Sequence, residues 1–147
     1  MTHTPVRAHD VAAFILAKTG EITAMKLQKL LYYAQAWSLV WDDAPLFHER
    51  VEAWANGPVV RNVYEAHRGQ FLVSKWPEGD AGRLVAVHKE TVESVLGYYG
   101  DKSAQWLSDL THSERPWLEA REGIADGVRG EKEITQASMA EYYSCLT

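Results

Sequence analysis

Lys26-Leu27-Gln28-Lys29-Leu30-Leu31-Tyr32-Tyr33-Ala34-Gln35-Ala36-Trp37 reads as the middle of a long helix, and this stretch decides the fold. Leu27, Leu30, Leu31 and Ala34 recur at three- and four-residue spacing to make one apolar stripe. Tyr33, Trp37 and Val40 make a second stripe a third of a turn away. A helix apolar on more than one side belongs at the centre of its fold. Thr23 carries a hydroxyl that can cap the free amides at the helix start, and Asp42-Asp43-Ala44-Pro45 breaks it. The helix is therefore predicted over 24–41.

Upstream, Val11, Phe14 and Ile15 fall at helical spacing, predicting a helix over 7–18, with Gly20 where a left-handed residue closes it. Downstream, Val51-Glu52-Ala53-Trp54-Ala55 alternates apolar and polar in part, which suits a short strand. Asn56-Gly57-Pro58 reads as a turn that also starts a helix, because proline is pre-shaped for the first helical position. Such a helix would carry Val59, Val63 and Ala66 on one face and stop at Gly69. Residues 70–83 read as irregular, and Leu84-Val85-Ala86-Val87 as a second short strand.

Helical spacing returns over 89–99 with Val92, Val95, Leu96 and Tyr99 on one side. Ser103 can cap a helix whose expected inner face is Trp106, Leu107 and Leu110. Thr111 to Trp117 reads as a turn into a short helix, 123–131 as loose and glycine-containing, and Thr135 as the cap of a last helix presenting Met139, Tyr142, Tyr143 and Leu146. The expectation is a mainly α, compact single-domain helical fold spanning 1–147, with at most a small two- or three-stranded β element.

The chain has 147 residues, the size of one domain. Hydrophobic residues make up 46% and aromatics 11%, enough for a real core. The net charge is −5, and the acid excess lies mostly in 101–147, where 9 acidic residues face 5 basic ones. That balance argues against nucleic acid, whose phosphates require an excess of Lys and Arg, and suits a basic protein partner instead. The lone cysteine, Cys145, excludes an internal disulfide and any zinc site of several thiolates. With no membrane-length apolar run and no secretory signal at the first residues, a reducing, cytoplasmic home is expected.

No motif of enzymatic chemistry stands out: a nucleophile elbow, a zinc-protease helix, a phosphate-cradling loop and a dinucleotide fingerprint are all missing from the sequence. Cys145, on the apolar side of a helix, has no nearby base to activate it and reads as a small buried or edge residue. The six histidines (His3, His9, His48, His67, His88 and His112) include no pair at i, i+3 or i+4, so no metal is expected. His112 with Ser113 and Glu114 suits turn hydrogen bonds. Lys26 and Lys29 with Tyr32, Tyr33 and Trp37 fit either a base-stacking face or, better, a core helix with two lysines snorkelling at its start. Arg61 near a helix start at Pro58 could hold an anion, although a tight turn explains Gly57-Pro58 as well.

Three blocks in order carry a family resemblance. They are the 26–37 stretch quoted above; Glu52-Ala53-Trp54-Ala55-Asn56-Gly57-Pro58-Val59-Val60 followed by Val63-Tyr64; and Leu110-Thr111-His112-Ser113-Glu114-Arg115-Pro116-Trp117. Together they resemble the Panacea antitoxin domain, also called the SocA-like, phage-associated family. Order and spacing agree from about residue 8 to 143. The family typically has Tyr where this chain has Ala55.

The resemblance implies a cytoplasmic antitoxin that neutralises a cognate toxin encoded by a neighbouring gene, by direct protein–protein binding. It also implies an alternative, because one relative delivers its toxin to a protease as an adaptor. An enzyme reversing a toxin's modification is a further alternative, and a DNA-binding autorepressor is disfavoured by the charge. No catalytic residue and no cofactor are expected. Leu27, Leu30, Trp54, Gly57, Pro58 and Trp117 are expected to hold the fold. Lys26, Lys29, Tyr33, Arg61 and Tyr64 are the candidate toxin contacts.

Overall fold

Thr23 accepts a hydrogen bond from the Lys26 amide at 3.1 Å, and this cap launches the principal helix. The computed structural model describes residues 5–147. In chain order the elements are α1 (Ala8–Thr19), β1 (Ile22–Thr23), α2 (Ala24–Trp41), β2 (Val51–Trp54), β3 (Gly57–Val60), α3 (Arg61–His67) and β4 (Leu72–Val73). A single 3-10 turn, Ala81–Arg83, leads to α4 (Ala86–Tyr99), α5 (Ala104–Ser113), α6 (Arg115–Ala120), β5 (Glu133–Ile134) and α7 (Gln136–Ser144). The fold is mainly α. Its β content is a two-stranded sheet of β1 and β4 and a three-stranded antiparallel sheet in the order β3-β2-β5.

α2 is the axle. It packs against α1, α4, α5, α7 and β3, and all residues from Leu27 to Ser38 are buried, whichever side of the helix they occupy. Two of those buried residues are glutamines, seven positions apart. Gln35 takes the amides of Leu46 and Phe47 on Oε1, at 2.8 and 3.2 Å, and donates from Nε2 to the Phe47 carbonyl at 2.8 Å. Gln28 takes the Val60 amide at 2.8 Å and donates to the Val60 carbonyl at 3.3 Å. Each primary amide thus serves a passing chain as a neighbouring strand would, partnering backbone groups that burial would otherwise leave costly. Among the described residues no helix is long and apolar enough to cross a membrane.

The chain after Trp54 departs from expectation. Ala55-Asn56 is a two-residue hairpin turn, with Trp54 paired to Gly57, Ala53 to Pro58 and Val51 to Val60. No helix starts at Pro58; α3 begins at Arg61. Pro58 is tolerated in β3 because residues 58 and 60 point their backbone groups away from β2, so the missing N–H breaks no ladder bond. That outward edge faces α2, where Gln28 and Lys29 cover it.

Leu84-Val85-Ala86-Val87 is not a strand. Leu84 tucks into the core, Val85 precedes the first turn of α4, and Val87 is exposed on that helix. The helical periodicity beyond His88 wins over a short β-branched run with no partner strand. Residues 70–83 are less irregular than expected, since β4 pairs with β1 and Asp80 caps the 3-10 turn. On α5 the inner face is Leu107, Ser108 and Thr111, whereas Trp106 is exposed under the ammonium of Lys102, 5.1 Å away. Leu146 and Cys145 lie exposed beyond the end of α7.

Candidate functional site

The three blocks quoted above fold onto one junction around Gly57. Gly57 adopts φ +122°, and a Cβ there would stand 2.6 Å from Lys29 Cε and 3.2 Å from Thr111 Oγ1. The close approach is used. Lys29 Nζ donates to the Pro58 carbonyl at 3.2 Å, and Ser108 donates to the Asn56 carbonyl at 3.2 Å. Trp117 Nε1 donates to the Trp54 carbonyl at 2.9 Å, and Arg121 to the Ala53 carbonyl at 3.1 Å. The β2–β3 hairpin is therefore bolted to α2 from one side and to α5 and α6 from the other.

Tyr33 and Glu114 tie the first block to the third. The Tyr33 and Tyr143 hydroxyls each donate to Glu114 Oε1 at 2.7 Å, and Tyr32 lies 3.0 Å from Tyr143, oxygen to oxygen. Tyr99 stacks on Tyr33 at 4.1 Å and accepts from Trp37 Nε1 at 3.0 Å. Burial pushes the Glu114 carboxyl above its ordinary range, against the pull of the two hydroxyls. It also drives the Tyr33 phenol far up, helped by the adjacent Glu114 charge.

Outside this junction the hairpin, α2, α3 and the loop carrying Gly127 to Gly130 border a groove of about 570 Å³. Trp54 and Tyr64 meet edge to face at 4.7 Å on its wall, with the Arg61 guanidinium 6.0 Å from the indole. Arg61 Nη2 reaches Glu131 at 3.2 Å, Nη1 reaches the buried Glu52 at 3.8 Å and Nε reaches Glu65 at 3.9 Å. Arg129 holds the same Glu131 oxygen at 2.9 Å, and these arginines keep that exposed carboxyl below its usual range. Lys29, Arg68 and His67 complete the basic lining. Burial lowers the Lys29 ammonium to about 7 and lowers His67, whose Nε2 lies 2.9 Å from Gln28 Nε2.

Of the five candidate contacts, Lys29, Arg61 and Tyr64 come together in this groove, and the other two do not. Tyr33 is fully buried, so its ring offers a partner no surface. Lys26 is half-buried and donates to the Gly100 carbonyl at 2.6 Å, at the C-terminal end of α4, where a cation is favoured. Lys29 does not snorkel; it is 1% exposed and bound to the hairpin. Leu27, Leu30, Gly57, Pro58 and Trp117 are buried, while Trp54 is partly exposed on the groove wall.

Sequence reasoning missed Gln28, Ser108, Thr111 and Arg121 as hairpin partners. The available signal was polar residues recurring on faces that the apolar periodicity turns inward. It expected turn contacts for His112, which instead stacks on Trp117 at 4.2 Å with its buried Nε2 unpartnered among the described residues. His3 lies outside the described residues. Among them no group of three His, Cys, Asp or Glu is placed to hold a metal ion.

The family model described as "Antitoxin SocA-like, Panacea domain" matches residues 27–118, which contain the hairpin, the Gly57 junction and most of the groove lining. Antitoxin SocA of Caulobacter vibrioides (strain NA1000 / CB15N) is 32% identical over 129 aligned residues, covering 76% of this chain and 69% of the relative. No solved structure matches the chain.

Proposed function

This chain belongs to the Antitoxin SocA-like, Panacea domain family, and on that premise we propose that residues 1–147 act as one antitoxin domain. It binds a cognate toxin encoded by a neighbouring gene and neutralises it by occupying its active site or blocking substrate access. The observation that carries this reading is that the family-matched stretch builds both a rigid, internally bonded frame and, on its outside, a groove with half-exposed aromatic and cationic walls. Tyr, Trp and Arg are the residue types enriched at protein interfaces, where flat rings and forked guanidiniums give contact area at low entropic cost.

Within this proposal Trp54, Arg61 and Tyr64 touch the toxin, with Lys29 beneath them. Lys26 and Tyr33 act through the frame. Binding rather than turnover does the work, in a reducing cytoplasm.

The test is co-expression of this chain with the neighbouring gene's product, scored by growth and by elution on a sizing column. Restored growth with a one-to-one complex is expected. Restored growth without a complex would overturn direct neutralisation in favour of delivery to a protease. Neutralisation at far less than one equivalent, with no protease present, would overturn it in favour of an enzyme.

A further inference from the structure

The groove already holds one carboxylate, and that geometry suggests what it takes from outside. Glu131 sits on its rim with its Oε1 shared between Arg61 at 3.2 Å and Arg129 at 2.9 Å, while its side chain stays 41% exposed. It belongs to the loop before β5 rather than to the frame, so a carboxylate from solution can compete for the same two guanidiniums. Two further basic groups stand beside it, Lys29 buried at the base and Arg68 exposed. Lys29 and Arg68 line the groove and make no ion pair among the described residues. When protonated, Lys29 has three protons to donate and one acceptor, the Pro58 carbonyl. Glu65 is the one acidic residue in the lining, in a chain whose overall charge is −5. With Glu52 and Glu131 counted beside Arg61, the basic groups Lys29, Arg61, Arg68 and Arg129 still outnumber the carboxylates, so the groove does not share the acid excess of the chain.

Resting on the antitoxin reading, we infer that the groove receives an acidic segment of the protein partner, one of whose carboxylates replaces Glu131 on Arg61 and Arg129. Guanidiniums suit this, because their forked donors match a planar carboxylate. The ring pair Trp54 and Tyr64 then packs the neighbouring side chains of the same segment. A volume of about 570 Å³ falls in the range of sites that enclose small ligands or short chain segments. Glu131 acts as a built-in competitor that keeps the arginines occupied until the partner arrives.

The experiment is an amide-resolved NMR titration of the full chain with a hexaglutamate peptide, with hexalysine and inorganic phosphate as separate arms. Hexaglutamate is expected to shift Asn56, Arg61, Arg68 and Gly130, with binding weakened by salt. Glu131→Gln should tighten it about threefold to tenfold by releasing both arginines, and Arg68→Glu should weaken it by at least that factor. Arg68 is exposed, so the variant folds, as amide dispersion will verify; Arg68→Ala is the milder second variant.

Shifts elsewhere with none in the groove, equal binding of hexalysine, or weaker binding by Glu131→Gln would overturn the inference. Phosphate matching hexaglutamate would also overturn it, reducing the groove to a general anion site. The two readings fail separately. If the unmodified chain neutralises the toxin and Arg68→Glu with Arg61→Glu does so equally, the groove inference falls and the antitoxin reading stands. If the unmodified chain fails to neutralise, the antitoxin reading falls, and the peptide titration still decides the groove.

Discussion

Two clusters of aromatic rings and charge, both reached from α2, are opposites. The inner one, Tyr32, Tyr33, Tyr143 and Glu114, is sealed, and both Tyr33 and Tyr143 donate to Glu114. The outer one, Trp54, Tyr64 and Arg61, is half-exposed, its ion pairs are long or shared, and its neighbours Lys29 and Arg68 have no carboxylate partner among the described residues. Tyrosine beside a charged group does both tasks. Where polar atoms are desolvated and paired, removing one leaves the other orphaned, which makes a rigid frame. Where they are half in water, their bonds are exchangeable, which is what a contact surface needs.

This contrast breaks first if the inner cluster proves dispensable. Glu114→Ala, which strands two buried hydroxyls, is expected to lower the unfolding free energy by about 3 kcal/mol in urea titration. Glu114→Gln isolates the charge. Because burial raises the folded carboxyl above its ordinary 4.5, the native state binds the proton more tightly than the unfolded chain does. The contribution of Glu114 to stability is therefore full below 4.5 and is lost as pH rises through the raised value, and that loss should vanish in the glutamine variant. An unchanged slope would mean Glu114 is not the group responsible.

Gly57→Val comes next. It demands φ +122° of a β-branched residue and sets its Cβ 2.6 Å from Lys29 Cε; a loss of about 2 kcal/mol is expected in the same titration. Lys29→Met is subtler. The folded ammonium at about 7 against 10.5 unfolded makes the unmodified chain gain stability as pH rises from 7 towards 10. The methionine variant, compared in denaturant at each pH, should lack that gain. A gain that persists would show that another group carries it.

At the groove the expectation reverses. Tyr64→Ala should lower stability by no more than about 1 kcal/mol yet weaken the toxin complex by roughly 10- to 100-fold. Trp106→Ala, on the exposed face of α5, should change stability by less than about 0.5 kcal/mol and leave binding alone. If Trp106→Ala weakens the complex and Tyr64→Ala does not, the contact face lies on α5 instead.

Much of the fold was legible because its signals are local. The double stripe on α2 and the threonine and serine caps at Thr23, Ser103 and Thr135 depend on residues within one or two turns, and each appears where expected. The helix expected at Pro58 failed because proline suits both a first helical turn and an edge strand. The choice between them was made by Gln28 and Lys29, some thirty residues away in sequence. Trp106 misled for a similar reason. Hydropathy places an indole inside, but the α5 face that turns inward is the one whose Ser108 reaches the Asn56 carbonyl. The burial of Tyr33 was legible in the second stripe of α2, although it was also named a contact, whereas that of Lys29, expected to snorkel, was not.

By itself the sequence determined that a long helix, apolar on more than one side, would be the axle of a mainly helical fold, and that three blocks would mark the family. Periodicity and capping are short-range, so they survive without knowledge of the partner surfaces. Only the tertiary structure decided which tyrosine is sealed and which is exposed, and that Gly57 is where the three blocks meet. It also decided that Lys29, Arg61, Arg68 and Arg129 gather at one groove in an acidic chain. Burial and charge pairing belong to residues distant in sequence and adjacent in space, and that adjacency exists only once the chain has closed on itself.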